Sequence, residues 1–192
     1  KTKIHLEATE VDVIIRSRLL TKTPTAKKLL QDYFDQNSGK ISDHASLVAN
    51  GITKTNSSDT FVTYYPFFKH HFDLLQNFLF GTKGYATTKV AARGMISTTY
   101  DVLKKQSQSS KLFEMATAWQ IAREAQTSPP VRLVNRYDSA EKILKDSQVS
   151  GRHLLETINF LSQAEVVPVT LPNIIRSYIK EPEDYHKVKD HI

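Results

Sequence analysis

The sequence predicts an all-α protein, a helical bundle followed by a partial winged-helix or helix-turn-helix-like unit. Apolar residues recur at helical spacing, as in Phe68, Phe72, Leu75 and Leu79. The runs are separated by capping and turn residues such as Thr23-Pro24, Asn37-Ser38-Gly39 and Ser128-Pro129-Pro130. The strand-like run Lys3-Ile4-His5-Leu6 is too short to anchor a sheet.

The elements follow in order. Thr9, three residues before Asp12, resembles a capping box that starts a helix using Val11, Ile14, Ile15 and Leu19. Thr23-Pro24 opens a second helix, with proline at the first helical position where its missing N–H does no harm. Ala26, Leu29, Leu30, Tyr33 and Phe34 form its apolar face, and Asn37-Ser38-Gly39 is expected to stop it. Ser42 to Ala49 gives another turn or two, and the polar run 52–59 reads as an exposed, mobile loop. A helical hairpin spans 61–105 and holds eight of the seventeen Phe and Tyr residues between Phe61 and Phe80. A Gly81-Thr82-Lys83-Gly84 turn is expected at its tip. Its second helix runs from about Thr88 to Lys105, with Ala91, Met95, Thr98 and Val102 on one stripe and Ala92, Ile96, Tyr100 and Leu103 on the next. Gly94 costs about 1 kcal/mol of helix propensity relative to alanine, which points to a close approach there.

A further helix is expected to carry Leu112, Met115, Ala116 and Trp119 and to end at Ser128-Pro129-Pro130. Asp138 and Glu141 repeat the capping-box pattern before Ile143 and Leu144. Gly151 to Leu161 reads as a helix, Val166 to Val169 as an extended bridge, and Thr170 as the cap of a helix using Leu171, Ile174, Ile175, Tyr178 and Ile179. A last helix starts near Pro182. The domain division expected is 1–127 for the bundle and 128–192 for a truncated winged-helix-like unit.

Composition narrows the function classes. The 192 residues carry ordinary globular proportions of apolar and charged side chains, which argues against disorder and coiled coil. The absence of cysteine excludes disulfides, zinc ribbons and thiol catalysis, and fits a cytoplasmic protein. No apolar run reaches the ~18–20 residues of a membrane span, and the N-terminus lacks a signal-peptide core. The chain lacks an initiator methionine and reads as part of something longer. A net charge of +6 permits an acidic partner but more simply describes a solvated surface.

No self-contained active site emerges. Gly81-Thr82-Lys83-Gly84 has the wrong spacing for a phosphate-binding loop and joins two helices. Adjacent His70 and His71 point about 100° apart on a helix and cannot share a metal, so both read as bystanders. No nucleophile elbow is present. Arg93 is the exception: it either pairs with a carboxylate such as Asp73 or Asp101, or is offered to a phosphate, which its planar fork suits. In the C-terminal unit Arg152, Arg176, Lys180, Lys187 and Lys189 are candidate DNA contacts, diluted by Glu156, Glu165, Glu181, Glu183 and Asp184.

The run Tyr65-Pro66-Phe67-Phe68-x-x-His71-Phe72-Asp73-Leu74-Leu75-Gln76, followed by Ala92-Arg93-Gly94-Met95-Ile96, resembles a segment of AAA+-like P-loop ATPases of BREX-type phage-defence systems. In that family the segment follows the ATPase core. Arg16-Ser17-Arg18-Leu19-Leu20 is similar to the end of the helix that opens the family's lid, and 151–175 to its winged-helix-like unit. The resemblance implies that Arg93 is a sensor-2-type arginine reporting on the γ-phosphate, with Arg16 or Arg18 supporting the core–lid junction. Walker A and Walker B elements are absent from the chain. ATP and Mg would therefore be held by a P-loop core upstream, with no cofactor in this chain. The implied partners are that core and, beyond it, duplex DNA or other defence-system subunits. The alternative is a stand-alone winged-helix DNA-binding or adaptor protein.

Overall fold

The computed structural model, which describes residues 8–49, 52–83 and 88–192, contains ten α-helices and no strand among them. The all-α class expected from helical periodicity is what the chain adopts. Lys3 to Leu6 and the Asn50-Gly51 turn lie outside the described residues, as does the side chain of Thr9.

Helix α1 (Ala8–Ile14) runs into a π-helical stretch, Ile15–Leu19, where the Leu20 N–H donates to the Ile15 carbonyl at 3.0 Å. The wider turn lets Ile15 enter the core completely. Thr23 caps α2 (Pro24–Ala45) by accepting from the Ala26 N–H at 3.2 Å. The expected stop at Asn37-Ser38-Gly39 does not end this helix. Asn37 only kinks it (φ −126°, ψ 18°), and the chain resumes because Ile41, His44 and Ala45 are buried beyond the kink. The run 52–59 is largely exposed as expected, but its last two residues open a helix, buried Thr55 accepts from the Lys69 N–H at 3.0 Å, and the Thr53 N–H donates to Asp73 at 2.8 Å.

The first helix of the hairpin begins at His70, beyond Pro66, and the front of the aromatic run lies on a short helix of its own. Phe61 and Tyr64 lie on α3 (Ser58–Tyr64), capped by Ser57, and a bend through a cis Tyr65-Pro66 bond leads to α4 (His70–Lys83). Gly81 to Lys83 form the last turn of α4, so the expected tight turn does not begin there; Gly84 lies outside the described residues. Helix α5 (Thr88–Asp101) continues as a second π-helical stretch, Val102–Gln106. Ala91, Ala92, Met95, Thr98 and Val102 are buried as expected, whereas Tyr100 is exposed. Gly94 faces a side chain, not a backbone: a Cβ there would meet Leu79 Cδ1 at 3.0 Å.

The helix expected from Leu112 onward starts later, as α6 (Ala118–Ala125). Before it the chain is pinned rather than helical, with the Met115 N–H on the Lys180 carbonyl (2.9 Å) and the Ala116 N–H on that of Pro66 (2.7 Å). Thr117 and Gln120 close a capping box at the start of α6. Asp138 and Glu141 lie inside α7 (Val131–Ile143), not before a helix. Glu141 caps the next helix instead. Its Oε2 accepts from the Ser150 hydroxyl (2.7 Å) and the Arg152 N–H (2.8 Å) at the start of α8 (Gly151–Ala164). Helices α9 (Leu171–Tyr178) and α10 (Asp184–Asp190) follow an extended bridge, and the Thr170 side chain makes no capping bond.

One large core joins Val11 and Ile15 to Phe72, Leu75, Phe78 and Leu79 of α4, to Met95 and Val102, to Ile121 of α6 and to Phe160 and Leu161 of α8. It continues across residue 128, with the Phe78 and Phe160 rings 4.9 Å apart. A second core gathers Leu30, Phe34, Phe61, Phe68 and Met115, and a third Val149, Ile175, Ile179 and Val188. Burying each such large apolar side chain contributes roughly 1.5–3 kcal/mol. Buried Asn173 clips α9 to the end of α2: its Oδ1 accepts from the Val48 N–H at 2.7 Å, and its Nδ2 donates to the Val48 and Pro168 carbonyls.

Candidate functional site

Burial of one side of α5 leaves the other side in solvent. Arg93, Ser97, Tyr100 and Lys104 follow at i, i+4, i+7 and i+11, and all four are exposed. The Lys104 ammonium stands 5.6 Å from the Tyr100 ring centre. Among the described residues Arg93 has no carboxylate partner. The two acids named for it are engaged elsewhere, Asp73 with the Thr53 N–H and Asp101 with Lys105 at 3.4 Å. The stripe is cationic and aromatic, on a helix whose Gly94 lies close against Leu79 of α4.

Arg16 and Arg18 sit on the π-helical stretch that packs against α5. Arg16 Nε lies 2.8 Å from Asp12, which also accepts from the Tyr64 hydroxyl (2.9 Å) and Lys69 Nζ (2.9 Å). Burial pushes the Asp12 carboxyl up, but hydrogen bonds from Lys69 and Tyr64 and the charges of Lys69 and Arg16 outweigh it and hold the group below its ordinary value. Arg16 thus belongs to an internal network, while Arg18 is exposed.

The five candidate DNA contacts are not brought together as a bare patch. Arg152 bridges Asp138 (3.1 Å) and Glu156 (3.3 Å), Arg176 pairs with Asp43 (2.8 Å), and Lys180 pairs with Glu114 (3.0 Å). Lys187 and Lys189 on α10 are exposed and have no ion pair among the described residues.

Two polar clusters were not foreseen. Glu156, on the buried face of α8, receives Arg123 Nη2 at 2.7 Å as well as Arg152. The Arg123 guanidinium lies 5.3 Å from the Trp119 ring, which stacks on His153 at 3.8 Å. Tyr137 beside it is pushed up to about 12 by burial and by the Glu156 charge. No local spacing links Arg123 to Glu156, so nothing in the sequence marks the pair. Glu156→Ala would leave two arginines without their shared buried acceptor, an expected loss of about 3 kcal/mol in chemical denaturation. The second cluster is His44, His70 and His71, all buried; His44 lies edge-on to Phe68 at 4.9 Å, and the His70 and His71 rings are 4.7 Å apart. Among the described residues no three histidine or carboxylate groups are arranged to hold a metal ion.

A cavity of about 200 Å³ lies among Trp119, His153, Tyr178, Lys180 and Lys187, with no α5 residue in its wall. Two of its polar groups are held internally, Lys180 by Glu114 and the Trp119 indole N–H by the Tyr178 carbonyl (3.2 Å). No helix is long and apolar enough to cross a membrane among the described residues. Compared with known protein families, characterised proteins and solved structures, the chain shows no match.

Proposed function

We propose that this chain is the lid and C-terminal helical region of an AAA+-like P-loop ATPase of the phage-defence type, and that Arg93 contacts the nucleotide phosphate held by a core outside it. The observation that supports this reading is an exposed arginine, free of any internal carboxylate among the described residues, on a helix fixed by its buried face. A guanidinium left unpaired keeps its planar fork available for two charge-assisted bonds to phosphate oxygens. Bound ATP and Mg supply the transferable phosphoryl group and its charge neutralisation on the core. This chain's part is to dock Arg93 when the γ-phosphate is present and to release it when the phosphate leaves. α5 packs on α4, and α4 packs on α8 through Phe78 and Phe160, so movement of Arg93 is carried to the C-terminal helices as a rigid unit.

The alternative, a stand-alone DNA-binding protein, has less to stand on. Of its five cations, only Lys187 and Lys189 are not tied to carboxylates among the described residues.

In the full-length protein, Arg93→Ala is expected to lower ATP turnover on the order of 100-fold, the cost of removing one preorganised charged donor. Arg93→Lys, which keeps the charge and loses the fork, should fall between. Unchanged turnover together with unchanged ATP affinity would remove the sensor role.

A further inference from the structure

The two most exposed large apolar side chains among the described residues are Ile143 (81 %) and Val131 (75 %), and both lie on α7. They line one open groove of about 780 Å³, together with Ala140 of the same helix and Leu155 of α8. Twelve positions at about 1.5 Å per residue separate them by roughly 18 Å, the length of a three-turn helix. Isolated exposed apolar residues need no explanation, but four in one concavity, interleaved with Asn135 and Ser139, do.

The charge around this floor is one-sided. Arg132 and Arg136 line the groove, and among the described residues no acidic side chain does. Neither arginine has an ion pair within the chain among the described residues. Both carboxylates of α7 are spent on α8: Asp138 pairs with Arg152, and Glu141 caps the α8 N-terminus. The internal bonds of α7 therefore draw negative charge toward α8 and leave positive charge beside the apolar floor.

We propose that the α7–α8 groove docks an acidic amphipathic helix of a partner protein. Such a helix would lay apolar side chains at i, i+3 or i+4, and i+7 along Val131, Ala140, Ile143 and Leu155. Flanking Asp or Glu would meet Arg132 and Arg136. The apolar floor favours a peptide over duplex DNA, whose phosphates would gain nothing from it. A second copy of the chain is disfavoured, because a two-fold contact here would bring these arginines toward their own copies on a chain of net charge +6. This inference does not depend on the role of Arg93.

The test is selection of a phage-displayed library of random 16-residue peptides on the chain, with the enriched peptides synthesised and titrated by fluorescence anisotropy. Enriched sequences should combine Leu, Ile or Phe at helical spacing with an excess of Asp and Glu. Their Kd should weaken at least tenfold for Ile143→Asp and for the double variant Arg132→Glu/Arg136→Glu, and should not change for Leu112→Asp, an exposed position outside the groove. All these positions are exposed, and circular dichroism establishes that the variants fold. The proposal is overturned if no peptide is enriched, if enriched peptides lack the acidic excess, or if they bind the groove variants as tightly as the wild type. It is equally overturned if the chain alone sediments as a dimer that the double arginine variant dissociates, which would assign the groove to a second copy.

Discussion

Acidification to about pH 4.5 is expected to unfold this chain through its buried histidines His44, His70 and His71. Burial holds His44 at about 4 and, with the charge of His44, His70 at about 3. His71 is pushed far down by burial and by the two neighbouring histidines, and its Nδ1 accepts from the Phe68 N–H at 3.2 Å, which requires an unprotonated nitrogen. The groups facing His44 are the Arg176 and Ile179 carbonyls and the Asp43 charge, which favour protonation, and the Arg176 charge, which opposes it. In the unfolded chain each histidine titrates near 6.5. Above that pH neither state is protonated and stability is full. Below it the unfolded chain binds protons that the folded chain refuses, so stability falls by about 1.4 kcal/mol per pH unit per histidine. By about pH 4.5 His44 and His70 together remove roughly 5 kcal/mol, comparable with the whole stability of many domains. Far-ultraviolet circular dichroism against pH checks this. His70→Leu should move the midpoint to lower pH, exposed His186→Gln should not, and a helical signal intact at about pH 3.5 would contradict the account.

Gly151→Ala is the substitution expected to cost most for its size. A Cβ at Gly151 would lie 2.1 Å from the Ala140 carbonyl oxygen and 2.9 Å from the Glu141 nitrogen. Both are backbone atoms of α7, so no rotamer change relieves the overlap; the helices must part, and the Glu141 cap on Ser150 and Arg152 parts with them. Overpacking of this kind costs about 3 kcal/mol, a fall in Tm of roughly 10 °C for a chain of this size. Gly94→Ala should stay within about 1 kcal/mol of neutral, since Leu79 Cδ1 can yield and alanine regains helix propensity. Thermal melts of the two variants side by side decide the matter, and equal shifts would contradict it.

That contrast shows where the sequence is readable. Periodicity identifies the buried stripes of α4 and α5 because each depends on residues one or two turns apart. It points to Gly94 as the close approach because small neighbours surround it. The tighter contact is at Gly151, whose partner is a carbonyl on another helix and leaves no local trace. Glu141 likewise has the spacing of a capping residue, but it caps the helix after its own. The break expected at Asn37-Ser38-Gly39 fails because Ile41 and Ala45 gain a core on the far side, which outweighs weak helix formers. His70 and His71 read as bystanders because their third member, His44, arrives from α2. Arg93 was visible as a lone cation on a small-residue helix. The Asp101–Lys105 pair has i, i+4 spacing and is legible, whereas the Thr53 bond to Asp73 is not, since the loop holding Thr53 carries no signal of its own.

Photoaffinity labelling measures the proximity between Arg93 and a nucleotide phosphate directly. An ATP analogue carrying a photoreactive group on its γ-phosphate is bound to the full-length protein, irradiated, and the adducts are mapped by mass spectrometry. Label is expected on α5, within the peptide 94–104 that follows Arg93, with loss of that label in competition with unmodified ATP. Labelling confined to the ATPase core, with α5 clear, would contradict it.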